Sequence, residues 1–291
     1  MESVVTVGLD GSPESLAAAR WAADEAERRG LTLSLLHAWP LLVPEPTRIP
    51  AEIDQNYWAK RIVHNARAEL QARHPSLSIV DNLVADDAQA ALLQAASESE
   101  MTVLGSRRLE PVESYFLGDI SMSVAARAER PVVLVRAATR EEGPPPTPGT
   151  AGGVVVAMKL HGPCDDLLEF SFAAAAARGV PLRVVHGRSV PLHAHVPWGV
   201  DHDVTEEITQ DAQKHLSQAL RPWREKFPGV GVADRIRLES PAQAVVRAAE
   251  GAGLLVVGRR KQRPALAPRL GPVAHAAIHH ARCPVAVVPH E

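Results

Sequence analysis

Two stretches of this 291-residue chain carry residues whose types and spacing suit the binding of an anion. The first, Met101 to Arg136, opens with a short apolar run ending in Gly105. It passes through a basic, irregular segment, reaches Gly118 at the start of a helical pattern, and closes with a second apolar run, Pro131 to Val135. Glycine lets a backbone approach an anion closely, and a helix start offers unpaired N–H groups with a favourable dipole. Strand, glycine loop, helix N-terminus and strand together form a phosphate-cradling arrangement. The second stretch, Leu254 to Val288, repeats the layout. Gly258 answers Gly105, Gly271 answers Gly118 and Pro284 answers Pro131, each pair 153 residues apart.

The elements that must position these loops alternate between strand and helix. Val4 to Leu9 reads as a buried parallel strand running into Asp10-Gly11-Ser12-Pro13, a helix start with Ser12 as N-cap and Pro13 at the first helical position. Gly30 ends that helix. Leu31 to Ala38 is the second strand, Pro40 to Pro50 a proline-rich loop, and Glu52 to Arg73 a longer amphipathic helix. Ser76 to Val84 is a third strand and Gln89 to Ser97 a third helix, after which the first glycine stretch supplies strand, helix and strand. This order implies right-handed crossovers and a parallel sheet covered on both faces.

Residues 137–153, AATREEGPPPTPGTAGG, have the composition of an exposed linker. The order then starts again: strand Val154–Met158, helix Asp165–Arg178, strand Leu182–His186, a long loop, and a helix around Thr205–Lys226. Strand Val230–Leu238, helix Ala242–Glu250 and the second glycine stretch complete it. Gly30 and His37 recur as Gly179 and His186, each 149 residues apart. A repeat of this length means two copies of one domain. The expected division is 1–137 and 154–291, joined by 138–153, with the two sheets meeting through Val132–Val135 and Val285–Val288.

Composition narrows the function classes. An apolar content of 46% is globular, and a net charge of −3 gives no electrostatic footprint for nucleic acid or an anionic membrane. The two cysteines, Cys164 and Cys283, lie one in each half, which argues against a disulfide scaffold and for a reducing compartment. No signal-peptide pattern precedes the first strand and no apolar run approaches the ~18 residues of a membrane span, so a cytoplasmic protein is expected. No nucleophile elbow, Walker lysine–serine pair or HExxH occurs, nothing assigns a catalytic base, and no enzyme activity is expected. His193, His195 and His202 cluster in one loop, but without a recognised zinc spacing they predict no metal. His37 and His186 read as structural or pocket-lining, and His279 and His280 as surface residues. Cys164 opens a helix, where the dipole would lower a thiol pKa and allow a redox role, but an inert small residue is the expectation.

The VTVGLDGSP opening, the LLHAW strand, the Gly105–Gly118 module and the RPVVLVR ending together resemble the universal stress protein family, over both halves of the chain. In ATP-binding members the loop reads Gly, two residues, Gly, nine residues, then Gly followed by Ser or Thr. That spacing is kept here as Gly105, Arg108, Gly118 and again as Gly258, Lys261, Gly271. The resemblance implies an α/β fold of the adenine nucleotide alpha hydrolase type: two Rossmann-like, doubly wound domains, each a five-stranded parallel sheet with about four helices. It implies ATP or AMP bound at the carboxyl ends of the strands, dimer-like pairing of the two domains, and signalling through nucleotide occupancy or a protein partner. Association of two chains into a homodimer is compatible with it.

Carried over by position, the nucleotide-binding residues of the first half are Asp10, Gly105, Arg108, Gly118, Asp119, Ile120 and Ser121. Asp10 stands where the family's acidic residue contacts ribose hydroxyls; it could equally shape the turn into the helix. Arg108 replaces the loop's middle glycine and Asp119 the hydroxyl residue. Asp119 could accept the helix's own N–H groups and repel phosphate, while Arg108 could neutralise it or reach a phosphate itself. The second half departs further, with Lys159 in the place of Asp10, Lys261 at the middle glycine and Pro272 after Gly271. Lys159, Arg259, Arg260 and Lys261 there read as a solvated basic patch, and no nucleotide is expected. Two functions fit these residues: a stress-response module taking ATP or AMP in its first half, or a nucleotide-independent scaffold with both pockets degraded.

Overall fold

In the first half the apolar runs become five strands: β1 (Val4–Gly8), β2 (Thr32–Ala38), β3 (Ile79–Val84), β4 (Met101–Ser106) and β5 (Val132–Arg136). Between them lie α1 (Pro13–Arg29), α2 (Gln55–Arg73), α3 (Ala88–Glu98) and α4 (Asp119–Arg127). A computed structural model describes residues 3–39, 55–106, 119–137, 152–160, 162–189, 195–196, 199–200, 202–262 and 268–291, with backbone alone at 55–56, 119, 195–196, 199–200 and 202–203. The chain divides into two compact units, Met1–Gly143 and Pro144–Glu291.

In the first unit the strands are parallel in the order β5-β4-β1-β2-β3. The chain moves outward from β1 in one direction and from β4 in the other, so the order reverses between these two neighbours. In open α/β sheets this switch point leaves a crevice beyond the carboxyl ends of the strands. Val5, Val7, Leu33, Leu35, Met101 and Val103 are buried from solvent in the middle of the sheet. Their near-continuous apolar character matches strands covered on both faces. Helix α1 lies close to them because its inner face is alanine: Ala18, Ala19, Ala22, Ala23 and Ala26 are fully buried. Gly30 ends it in the left-handed conformation, with φ of 65°. The third strand begins at Ile79 rather than Ser76. The chain leaving α2 first closes a turn, with Leu77 N donating to His74 O, and the ladder resumes after it.

The second unit contains β6 (Gly152–Ala157), α5 (Asp165–Arg178), β7 (Leu182–Gly187), β8 (His195–Val196), β9 (Gly199–Val200) and α6 (His202–Lys226). It continues with β10 (Val232–Arg237), α7 (Pro241–Ala248), β11 (Ala252–Arg260), α8 (Pro272–His280) and β12 (Val285–His290). Its parallel sheet has the order β10-β7-β6-β11-β12, the same winding as the first. One element falls outside the expectation: β8 and β9 pair antiparallel as a small ribbon within what reads as loop. Phe172 is fully buried under α6, its ring stacked with Trp223 and Phe227 at centroid distances of 6.2 and 5.5 Å. Among the described residues no helix is long and apolar enough to cross a membrane.

Candidate functional site

The carboxyl ends of β1 and β4 stand side by side, with Val7 level with Val103. Past β1, Leu9 N still donates to Leu36 O and then the chain leaves the sheet at Asp10. Asp10 Oδ1 accepts from Ser12 N at 2.9 Å and from Ser12 Oγ at 2.5 Å. Ser12 Oγ in turn accepts from Ser15 N at 3.1 Å, the N-cap bond of α1. Asp10 therefore shapes the turn into the helix and still lies exposed at the strand ends.

Gly105 is a glycine for a packing reason. A Cβ built there would sit 2.7 Å from the carbonyl carbon of Glu14 and 2.8 Å from Ser15 N, because the first turn of α1 crosses the strand at that point. From the other side Ser121 Oγ donates to Gly105 O at 3.0 Å, tying the first turn of α4 to the end of β4. Ile120, 41% exposed, borders the same helix start, and Asp119 is the first residue of α4. Arg108 and Gly118 lie outside the described residues, as does the side chain of Asp119. The structure thus gathers Asp10, Gly105, Ile120 and Ser121 at one end of the sheet.

Two further side chains form a wall there. His37 Nδ1 donates to Leu9 O at 2.7 Å, which braces the last residues of β2 against the turn at Asp10. The Trp39 ring stacks on His37 with centroids 6.1 Å apart and planes 18° apart. Both are half-buried. Trp39 closes the strand pattern in the sequence, and only the position of β2 beside β1 brings it to the site. His186 repeats the brace in the second unit, with Nδ1 donating to Met158 O at 2.9 Å.

The second unit's equivalent corner is built differently. Helix α1 begins three residues after Asp10, whereas α5 begins six after Lys159, and α5 has 14 residues against 17. The missing turn is residues 162–164. Cys164 sits at the N-cap position and makes no side-chain cap bond. Its thiol pKa is raised, first by burial and then by the adjacent Asp165 carboxylate, so the expected lowering by the helix dipole does not occur. The expected solvated patch also needs correction. Lys159, Arg260 and Lys261 are exposed, but Arg259 is only 7% exposed, since it lies within β11 level with Pro289. Lys261 Nζ pairs with Asp166 Oδ2 at 3.2 Å. Pro272 starts α8 behind Gly271, which contributes no side-chain cap.

His193 lies outside the described residues, and β8 and α6 carry His195 and His202 with backbone alone described. Among the described residues no three His, Cys, Asp or Glu side chains are grouped as metal ligands would be. His280 is exposed on α8 as expected, while His279 is half-buried against His275, with ring centroids 4.2 Å apart.

Comparison with known proteins agrees with this architecture. The Universal stress protein family model matches residues 1–136 and 152–289. The chain is 31% identical to the universal stress protein Rv2005c of Mycobacterium tuberculosis over 293 residues, covering 97% of this chain and 96% of that one. It is 27% identical to the universal stress protein Rv2623 of the same organism over 292 residues, covering 97% and 95%. A solved universal stress protein from Archaeoglobus fulgidus superposes with a TM-score of 0.71 at 17% identity, covering 99% of this chain and 98% of that chain, and so shares the fold. Two matches to the family model, a repeated winding of five parallel strands and full-length relatives together establish that this chain belongs to the universal stress protein family, in its tandem form.

Proposed function

We propose that the chain is a cytoplasmic stress-response module of two domains, 1–137 and 154–291 with 138–153 between them, that binds ATP or AMP in the first domain. Binding rather than turnover is its function, and the bound state is read by a protein partner. The observation that carries this reading is the exposed Asp10 carboxylate at the switch point, one residue beyond the backbone that His37 braces. A carboxylate there can hold ribose hydroxyls, the first turns of α1 and α4 bring N–H groups to the same end, and Trp39 offers a flat apolar face to a base. Occupancy would shift a conformational equilibrium, and a partner would respond to that shift.

Calorimetric titration of the full chain with ATP, AMP and cyclic AMP tests it, after nucleotide analysis of the heat-denatured protein. The expected result is no more than one adenine nucleotide per chain, with quenching of Trp39 fluorescence that is absent in Trp39→Phe. Asp10→Ala is expected to weaken binding by about tenfold or more, the equivalent of one lost charged hydrogen bond. Absence of binding at millimolar nucleotide would leave the scaffold reading. The internal satisfaction of Asp10 by Ser12 and of Gly105 O by Ser121 favours that second reading.

A further inference from the structure

The two units differ in charge on their outermost strands. β10 is the last strand of the second unit's sheet, and among the described residues no strand pairs with its outer edge. Its two faces are unlike. Asp234 lies toward α6, where Gln213 donates to it and Arg224 Nη2 reaches it at 2.9 Å. By strand alternation Arg235 and Arg237 leave the opposite face, level with Val185 and Gly187 of β7. Helix α7 lies over that face at β7, since a Cβ on Gly187 would sit 2.6 Å from Pro241 Cα. Arg235, farther out, is exposed, and Arg237 is half-buried. Arg183 is level with Ala233, so it stands on the same face one strand inward, and it too is half-buried. The corresponding positions of the first unit, aligned through β2 and β3, are Ser34, Asn82 and Val84. None of those is charged. The row of arginines is a departure made by the second unit alone.

Among the described residues none of the three guanidinium groups has a carboxylate partner. Asp234 is held by Arg224 on the other face, and Glu239, just beyond the strand, is held by Arg247 Nη1 at 2.8 Å. Like charges on neighbouring strand positions repel, and an anion laid among them relieves the repulsion. Charges on an edge also deter stray pairing, but either sign serves that purpose. Three cations on one face select for an anion, and their spacing selects its form. Arg235 and Arg237 are alternate residues, about 6.6 Å apart along the strand, which is the repeat at which an extended chain presents every second side chain. The free edge offers N–H and C=O groups to pair with such a chain. No aromatic ring lies among Arg183, Val185, Ala233, Arg235 and Arg237 for a nucleic-acid base to stack on. We propose that the outer edge of β10 is a docking strand for an extended acidic segment of a protein partner, whose carboxylates at alternate positions meet Arg235 and Arg237. The proposal rests on the reading above only for the existence of a partner, and it needs no nucleotide.

The probe is a short fluorescein-labelled peptide in which glutamate alternates with threonine, titrated with the full chain at low salt and read by anisotropy. A peptide of the same composition with its glutamates contiguous is the control. The alternating peptide is expected to bind about fivefold or more tightly than the control. Arg235→Gln combined with Arg237→Gln should weaken it by about tenfold, within the reach of two partly exposed charge pairs. Hydrogen exchange at the β10 amides should slow when the peptide is bound, which attraction between charges alone would not produce. Both substituted side chains lie at the surface of an edge strand, and circular dichroism verifies that the variant is folded. Equal binding of the two peptides, undiminished binding by the double variant, unprotected β10 amides or no binding at millimolar peptide each overturns the proposal. Oligothymidylate and phosphatidylserine vesicles are titrated alongside. If either binds more tightly than the peptide and depends on the same arginines, the partner is a nucleic acid or a membrane and the proposal fails. Nucleotide is absent throughout, so failure of the reading at Asp10 leaves every one of these outcomes unchanged.

Discussion

At the scale of the residue, the two glycines at equivalent positions have different neighbours, and their substitutions should differ in cost. Gly105 faces the backbone of Glu14 and Ser15 at under 3 Å from a built Cβ, and backbone cannot step aside without moving α1. Gly258 faces the outer atoms of one imidazole, which can turn away. Gly105→Ala is expected to destabilise by about 1–3 kcal/mol, the usual range for overpacking, and Gly258→Ala by less than about 1 kcal/mol. Chemical denaturation of the two variants checks this, and equal losses would contradict it. The same contrast explains Cys164. A thiol at a helix start suggests activation, but here burial and Asp165 raise its pKa. The thiolate is therefore scarcer at neutral pH than on a free cysteine, and slow alkylation by iodoacetamide at pH 8 is the expected outcome.

At the scale of the element, the two units start their first helices by different means. In α1 the cap is a short relay: Asp10 accepts from Ser12, and Ser12 accepts from Ser15. In α5 the cap position is Cys164, whose side chain makes no such bond. Ser12→Ala is expected to cost about 1 kcal/mol through the lost cap, whereas Cys164→Ala should stay within about 0.5 kcal/mol of the parent. Thermal denaturation distinguishes them. A loss at Cys164 as large as that at Ser12 would mean that α5 depends on the thiol after all. The relay also explains why a carboxylate so close to a strand end is compatible with two roles. The turn uses Oδ1 of Asp10 as its acceptor, and the group as a whole is exposed to the nucleotide proposed above.

At the scale of the whole molecule, each unit closes a core of its own. Phe172, fully buried and with its ring stacked against those of Trp223 and Phe227, anchors the second. Phe172→Ala is expected to lower the stability of that unit by about 3–5 kcal/mol and to leave unchanged the nucleotide binding proposed for the first unit. A melting curve with a nucleotide titration below the new midpoint reads both, and loss of binding would contradict the prediction. The sequence by itself determined the class of fold, the doubling of the domain and the order of its elements. Those follow from local hydrophobic period, from Ser12 and Pro13 at a helix start, and from Gly30 and Gly179 at helix ends, all of which act over a few residues. The placing of Asp10, Gly105 and Ser121 in one site came from the resemblance to the family, and it is the pairing of β1 with β4 that brings their backbones to one end of the sheet. Only the tertiary structure decided what those groups touch. It brought Trp39 onto His37, put backbone of α1 over Gly105, buried Arg259 and placed Cys164 where burial and Asp165 raise its thiol pKa. It also set His290 against Gly258, 32 positions away. Such contacts depend on where a helix begins to within one turn and on which face of a strand a side chain leaves. A period of hydrophobic residues carries neither, since desolvation and close approach are properties of the assembled neighbours.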